Sequence, residues 1–487
     1  MKKFLLILLV LFLSGCQSGP IKPEVNSVYY EIYVGSFYDS DGDGMGDLNG
    51  VTEKLDYIQE LGATGIWLMP INPSPTYHKY DVMDYQAIDE DYGTMEDFNK
   101  LVTEMEKRDM DLILDLVLNH SSSKHPWFLS AVSAHINDSC DVTPECDYYY
   151  FQSESAAGFT QLSTDLYYES VFWDQMPDLN LDNEQVREEI DEIVTFWLDK
   201  GVHGFRLDAT THFYRENVEN NVEFLSWFND LVKEKKPDAY LVGEAWSADS
   251  IVTQMYESQV DSFFNFTLSQ VSGSIVRALN TGNGIDLANY VASYEQTIKE
   301  KNPEALNAVF LSNHDNNRSA GYLANDLAKQ KQAASLYLLM PGNVFIYYGE
   351  EISLKGSGKD ENKRLPMVWS LDEELADPPA QADYVPEQDN SVEDALKDKD
   401  SLLNHYKNVL KIRNSYPSIS RGEVSVLDLG TEIFALDHGD VIVVHNVSSE
   451  TVEIDIEVNE FKVVGGSVEK TKDGLSLGAN SSALIVK

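Results

Sequence analysis

The sequence predicts an α/β fold: a (β/α)8 TIM barrel with an inserted domain after strand 3 and a C-terminal antiparallel β domain. Three observations predict it. From residue 29 to 351, short β-branched or aromatic runs alternate with amphipathic stretches, the pattern of repeated βα units around a parallel sheet. The polar residues that end these runs recur at a nearly constant interval: Asp208 to Glu244 is 36 residues, Glu244 to Asp315 is 71, about two such steps, and Asp315 to Tyr348 is 33. Beyond residue 417 the pattern shortens to alternating segments, such as 441–447 and 451–458, separated by Gly, Asn and Ser turns.

Taken in order, the chain begins with Lys2 and Lys3 and an apolar run over 4–13, too short to span a bilayer and of the length of an export signal. It continues Leu13-Ser14-Gly15-Cys16, which resembles the lipobox of bacterial lipoproteins. That resemblance implies a signal peptide over 1–15 and Cys16 as the lipidated mature N-terminus, with an ordinary cleaved signal as the alternative. The expected location is the extracellular face of the cell membrane, reached only through acyl chains. The barrel is expected over 27–119 and 174–419. Its strands centre on Ile32, Trp67, Leu114, Arg206, Val242, Phe264, Leu311 and Tyr347. Asp115 to Asp208 spans 93 residues, far more than one βα step, so an inserted domain is expected over 120–173, above the barrel mouth. It holds Cys140 and Cys146. In an oxidising exterior this pair is expected to bridge and pin a loop tip, with two unpaired thiols as the weaker alternative and no His cluster to suggest a metal site. The acidic, Pro-bearing stretch 372–394 is expected to be a surface loop before the last barrel helix, which spans 402–416 and is ended by Pro417. The β domain follows over 420–487.

Composition excludes several classes. With 487 residues, 43% of them apolar, the chain is too large for a disulfide-stapled module and too apolar to be disordered. The 81 acidic against 36 basic residues, a formal charge of −45, repel a phosphate backbone, so no nucleic-acid partner is expected. A membrane is met only through the anchor at Cys16, and the chain is expected to be a monomer.

Three carboxylates follow apolar runs at strand ends: Asp208 in GFRLDATTH, Glu244 in LVGEAW and Asp315 in LSNHD. On the fourth, fifth and seventh strands of a barrel they would meet at the C-terminal mouth. Cleaving an acetal takes two of them, one to protonate the leaving oxygen and one to attack the anomeric carbon or activate water. Singly, each is as well explained as a helix cap or an ion-pair member.

DLVLNH (115–120), GFRLDATTH (204–212), GEAW and SNHD, in that order, resemble the four signature regions of the α-amylase family, glycoside hydrolase family 13. GIWLMPI, MPDLN and the run from Gly342 match its accessory regions. The resemblance covers essentially the whole mature chain. It implies Asp208 as nucleophile, Glu244 as general acid/base, and Asp315 as the carboxylate that holds and distorts the sugar, with net retention of the α configuration. It implies His120 and His314 as imidazoles on the sugar hydroxyls, Tyr80 as the aromatic platform beneath that ring with His78 nearby, and His212 as a substrate-side residue. Arg206, two residues before Asp208 and so on the same side of the strand, is expected to keep that carboxylate ionised.

Asp39-Ser-Asp41-Gly-Asp43-Gly-Met45-Gly-Asp47 places oxygen donors at alternate positions, as a hard cation requires. Its twelfth position is Gly50 rather than Glu and no helix precedes it, so it is not an EF-hand. It resembles the calcium loop of oligo-1,6-glucosidase-like branches of the family, which implies Ca2+ on the side chains of Asp39, Asp41, Asp43 and Asp47 and the carbonyl of Met45. In the family Asn119 often binds another calcium, whose remaining ligands are not identifiable in this sequence.

The expected activity is hydrolysis of α-1,4-glucosidic bonds in starch, maltodextrins and related α-glucans. Ala209 and the GEAW context favour longer α-1,4 chains. Thr211, where α-amylases carry Lys, signals a different arrangement for the leaving-side sugars. The alternatives are an α-glucosidase, a neopullulanase-like or transglycosylating relative, or a surface lipoprotein that holds glycans without cutting them.

Overall fold

The computed structural model describes residues 27–385 and 390–487. The expected signal segment and Cys16 lie outside the described residues. Eight parallel strands close a barrel in chain order: β1 (Val28–Ile32), β2 (Gly65–Leu68), β3 (Asp111–Leu116), β4 (Gly204–Leu207), β5 (Tyr240–Gly243), β6 (Ser262–Phe264), β7 (Leu306–Phe310) and β8 (Asn343–Tyr347). Seven of the eight contain the residue on which they were expected to centre; β7 ends at Phe310, one residue before the expected centre Leu311. Closure occurs at β1, where Tyr29 pairs with Gly65 on one side and Phe345 on the other.

Alternation along each strand separates two cores. Tyr29, Trp67, Val242, Phe264 and Phe345 point inward and fill the barrel, with Tyr29 stacked between Tyr240 and Phe345. Tyr30, Ile66 and Leu114 point outward and pack against the helices. Those helices carry the expected apolar stripe. In Glu184–Asp199 the buried residues are Val186, Ile190, Ile193, Val194 and Trp197, at the spacing of one helical face, and Asn183 caps the first turn. Met95–Glu106 begins with a capping box between Thr94 and Asp97.

Between β3 and β4 the chain forms a helix, Pro126–Asn137, and a three-stranded antiparallel sheet in which Leu166–Glu169 lies between Phe151–Gln152 and Phe159–Ser163. Cys140 and Cys146 are joined by a disulfide. Single bridges, His120 to Asp178 and Tyr149 to Leu179, tie this segment to the barrel mouth. After the helix Leu402–Ser415 comes a domain of five- and three-stranded antiparallel sheets with its own core around Ile433, Val444, Leu475 and Ile485.

The stretch 372–394 departs from expectation at its end. Ser391 caps a short helix, Val392–Lys397, by accepting from the Asp394 amide, so the last residues assigned to the loop are helical. Among the described residues no helix is long and apolar enough to cross a membrane.

Candidate active site

β4 ends at Leu207, and Asp208 stands at the barrel mouth with its amide on the Leu116 carbonyl. The next residue, Ala209, has φ 48°, a left-handed conformation that a non-glycine residue holds only when its surroundings enforce it. The enforcement comes from β5. The Ala209 amide donates to Glu244 Oε2 at 3.2 Å, and the Thr210 amide and hydroxyl both donate to the Glu244 carbonyl, at 2.9 and 2.6 Å. The turn therefore locks the ends of β4 and β5 side by side. Gly243 is needed there, because a Cβ would lie 2.5 Å from the Phe263 ring.

Arg206, 1% exposed, lies beneath both carboxylates. Nη1 contacts Asp115 Oδ1 at 2.9 Å and Asp208 Oδ1 at 2.6 Å, while Nη2 contacts Glu244 Oε2 at 3.0 Å. One guanidinium thus serves three buried carboxylates. Its pull on each is diluted, and burial prevails: Asp208 is pushed up to about 6 by burial, with Arg206 opposing and the Asp115 charge adding. Arg206 opposes that rise by its charge and its hydrogen bond, and Asp208 is ionised at neutral pH. Glu244 is pushed further, to about 7, by burial and by the charges of Asp208 and Asp315, again against Arg206.

Asp315 is arranged differently. Its Oδ1 meets Arg364 Nη2 at 3.1 Å and its Oδ2 meets His314 Nε2 at 3.0 Å. Although burial opposes its charge, His314 and Arg364 hold it far below the usual carboxylate range. His314 lies between two acids, its Nδ1 2.5 Å from Glu31. Burial resists its protonation, yet Asp315 and Glu31 raise it to about 9, so it is an imidazolium at neutral pH.

These groups surround a cavity of about 350 Å³. Of the residues singled out in the sequence, Asp208, Glu244, Asp315, His78, Tyr80, His120 and His212 line it. Arg206 and His314 do not. His314 is fully buried under the floor, so the expectation that it touches a sugar hydroxyl is replaced by an indirect hold through Asp315 and Tyr80. Tyr80 is fixed through its hydroxyl, which donates to Asp115 (3.0 Å) and accepts from His314 Nε2 (2.8 Å). Burial pushes both His78 and His120 down to about 4, which leaves them neutral, and His120 Nε2 is buried without a protein partner. A neutral ring nitrogen of that kind suits a sugar hydroxyl.

Sequence reasoning passed over Phe172, Met176, Trp246, Asp360 and Arg364 in the lining, and Glu31 beneath it. Met176 and Trp246 stand inside the quoted motifs MPDLN and GEAW, so a signal was present. Phe172 and Arg364 come from irregular segments, and Asp360 from a four-residue helix, Asp360–Lys363, too short to carry a pattern.

In the second candidate region Asp39, Asp41 and Asp43 each offer an oxygen within 4.8 Å of the others. Among the described residues no ion pair neutralises them. Backbone amides do part of that work: Asp39 accepts from Asp41, Gly42 and Gly44, and Asp43 from Met45. Asp47 is not part of this cluster. Its oxygens accept from Ser40 and Gly50, and it caps the helix Leu48–Glu53. Three unpaired carboxylates in a Gly-rich turn are the donor set a hard cation takes. Asn119 is committed to Asp178, 3.2 Å away.

The family described as Alpha amylase, catalytic domain, matches residues 31–422. The chain is 36% identical to Alpha-amylase 3 of Dictyoglomus thermophilum, over 99% of this chain and 97% of that one. It is 31% identical to a Glucan 1,6-alpha-glucosidase of Streptococcus pneumoniae, over 89% and 92%. Among solved structures it is similar to Eubacterium rectale Amy13B, with a TM-score of 0.91, 40% identity and 96% of each chain covered.

Proposed function

The chain belongs to the alpha-amylase catalytic-domain family of glycoside hydrolases, and from that premise we propose that it is an α-amylase cleaving α-1,4 bonds of starch-like glucans. The observation that carries this reading is the shared guanidinium. Arg206 holds Asp208 and Glu244 at one cavity wall, and their environments separate them, Asp208 at about 6 and Glu244 at about 7. Near neutrality Asp208 is the anion that attacks the anomeric carbon. Glu244 carries the proton that goes to the departing glycosidic oxygen. Its carboxylate then takes a proton from water as the glycosyl–Asp208 bond is hydrolysed, so the α configuration is retained over two displacements. Asp315, held ionised by His314 and Arg364, accepts hydroxyls of the same sugar, and Tyr80 offers its ring to the apolar face.

Asp39, Asp41 and Asp43 would hold Ca2+, which supplies charge compensation and rigidity to the loop after β1 and takes no part in bond cleavage. The lipobox-like Leu13-Ser14-Gly15-Cys16 supports export and a lipid anchor at the extracellular face of the cell membrane, consistent with a substrate too large to be taken up intact.

A second reading, an α-glucosidase or neopullulanase-like or transglycosylating enzyme, is favoured by the glucan 1,6-alpha-glucosidase relative and by Thr211. A glycan-holding lipoprotein without activity is disfavoured by the intact carboxylates. Digestion of amylose, pullulan and isomaltose decides between them. A viscosity loss that outruns the release of reducing ends is the expected result on amylose; glucose alone, released from chain ends, would overturn the α-amylase reading.

A further inference from the structure

The inserted segment carries a cluster that the active site does not use. Its helix, Pro126–Asn137, ends where Asp138 turns left-handed at φ 54° and the Ser139 amide reaches back to the Ala134 carbonyl at 2.9 Å. The chain is thereby folded onto the last turn of that helix. Cys140 and Cys146, joined by their disulfide, come to lie against His135, which precedes them by five and eleven positions. One ligand atom from each of the three lies within 4.8 Å of the other two. His135 packs on the Phe151 ring, with centroids 4.2 Å apart, and its Nε2 is buried without a hydrogen-bond partner.

An imidazole nitrogen and two sulfurs are the donors of a soft cation, as the three carboxylates of the loop after β1 are those of a hard one. Tetrahedral zinc, with Zn–S about 2.3 Å and Zn–N about 2.0 Å, holds such atoms about 3.5–3.8 Å apart. The imidazole already stands close to that range, and what remains is for the sulfurs to part. Backbone turns hold the tip while they do. The Val142 amide donates to the Ser139 carbonyl, the Thr143 amide to Cys140 and the Cys146 amide to Thr143, each at 3.2 Å, and the Thr143 hydroxyl donates to the Ser139 carbonyl at 3.0 Å. Charge favours a cation as well: Asp138, Asp141, Glu145 and Asp147 stand in the tip, and no Lys or Arg occurs between Lys124 and Arg187.

We propose that His135, Cys140 and Cys146 are a redox-gated site for a soft divalent cation of the zinc class, closed as a disulfide and opened by a thiol reductant. The disulfide takes up two electrons and two protons, and two thiols of the reductant are joined as a disulfide in exchange. Each protein thiol then gives its proton to water as its sulfur bonds the cation. Three protein ligands leave the fourth position to water. Val142, 83% exposed between the cysteines, marks the tip as open to the reductant. Metal and disulfide are alternative clamps on one tip. None of the three ligands lines the catalytic cavity, so the site is independent of which glycosidic bond is cut.

The test uses Co2+ as the probe on the full chain, oxidised and after anaerobic reduction with a phosphine. The reduced chain should bind one Co2+ through sulfur, with a thiolate-to-cobalt charge-transfer band and the intense visible bands of a tetrahedral ion, and Zn2+ should abolish both by displacement. The oxidised chain should show neither, since the loop after β1 offers oxygens alone. His135→Ala, which keeps both cysteines, should weaken the reduced chain's hold on Co2+ by more than about 100-fold, beyond the cost of losing an outer partner of a ligand. Asp43→Asn should leave the bands unchanged. Circular dichroism checks the fold of each form. A disulfide that the phosphine cannot open in the folded chain, a reduced chain that has lost its fold or lacks the charge-transfer band, or equal cobalt affinity in His135→Ala overturns the site.

Discussion

The molecule holds two clusters of carboxylates and treats them in opposite ways. At the barrel mouth Asp115, Asp208 and Glu244 are buried around one cation, Arg206, supplied by the chain. In the loop after β1, Asp39, Asp41 and Asp43 lie in partly or fully exposed positions and are met by turn amides alone. Burial makes charge expensive and moves proton affinities into the working pH range, so the first cluster does chemistry. Water makes charge cheap, so the second cluster needs no cation from the chain, and the calcium proposed for it would serve to stiffen the loop. Like residue types are thus treated differently through exposure and through the partners that the chain supplies to each cluster.

Removing a member of the buried cluster should have the largest effect. Asp208→Asn is expected to lower kcat on maltotetraose by at least about 10⁴-fold, with the fold intact by circular dichroism. Residual activity within tenfold of the parent would erase the contrast between the clusters. Glu244→Gln should cost about 10²–10⁴-fold. The parent's kcat/KM should fall as pH drops below about 6, where Asp208 gains a proton, and as pH rises above about 7, where Glu244 loses one. The alkaline limb should be lost in Glu244→Gln, and its persistence would move the acid elsewhere.

Arg206→Met leaves three buried carboxylates without their common partner and should lower unfolding free energy by about 3–5 kcal/mol. Chelation should not change that loss. The exposed cluster should behave in the reverse manner. Calcium at about a hundredfold over its Kd should add about 2.7 kcal/mol, read as a chelator-sensitive rise in Tm. Asp43→Asn should abolish the calcium response while changing the metal-free protein by less than about 0.5 kcal/mol. A melting curve indifferent to both chelator and calcium would leave the loop as an acidic turn.

The barrel was legible because both of its periodicities are written locally, in strands of alternating faces and helices of a single apolar stripe. The three carboxylates were legible because each ends such a run. Other features depend on contacts that no spacing records. Glu31 lies 283 residues before His314, yet the two touch in the floor. Arg364 comes from an irregular stretch and reaches Asp315 only because β7 and β8 are neighbours. Asp47 continues an alternating series of oxygen donors, and that spacing does not record that it also caps the helix starting at Leu48. The sharing of Arg206 was likewise hidden, since sequence shows the cation and the nucleophile two residues apart but not the two other carboxylates that meet it.

The pairing of an attacking Asp208 with a protonated Glu244 is tested most directly by the anomeric configuration of the first product. Proton NMR of maltotetraose digestion, recorded before mutarotation sets in, should show the α anomer at the newly formed reducing end, as two successive displacements require. A β anomer there would mean a single displacement by water, with no bond to Asp208 at any stage.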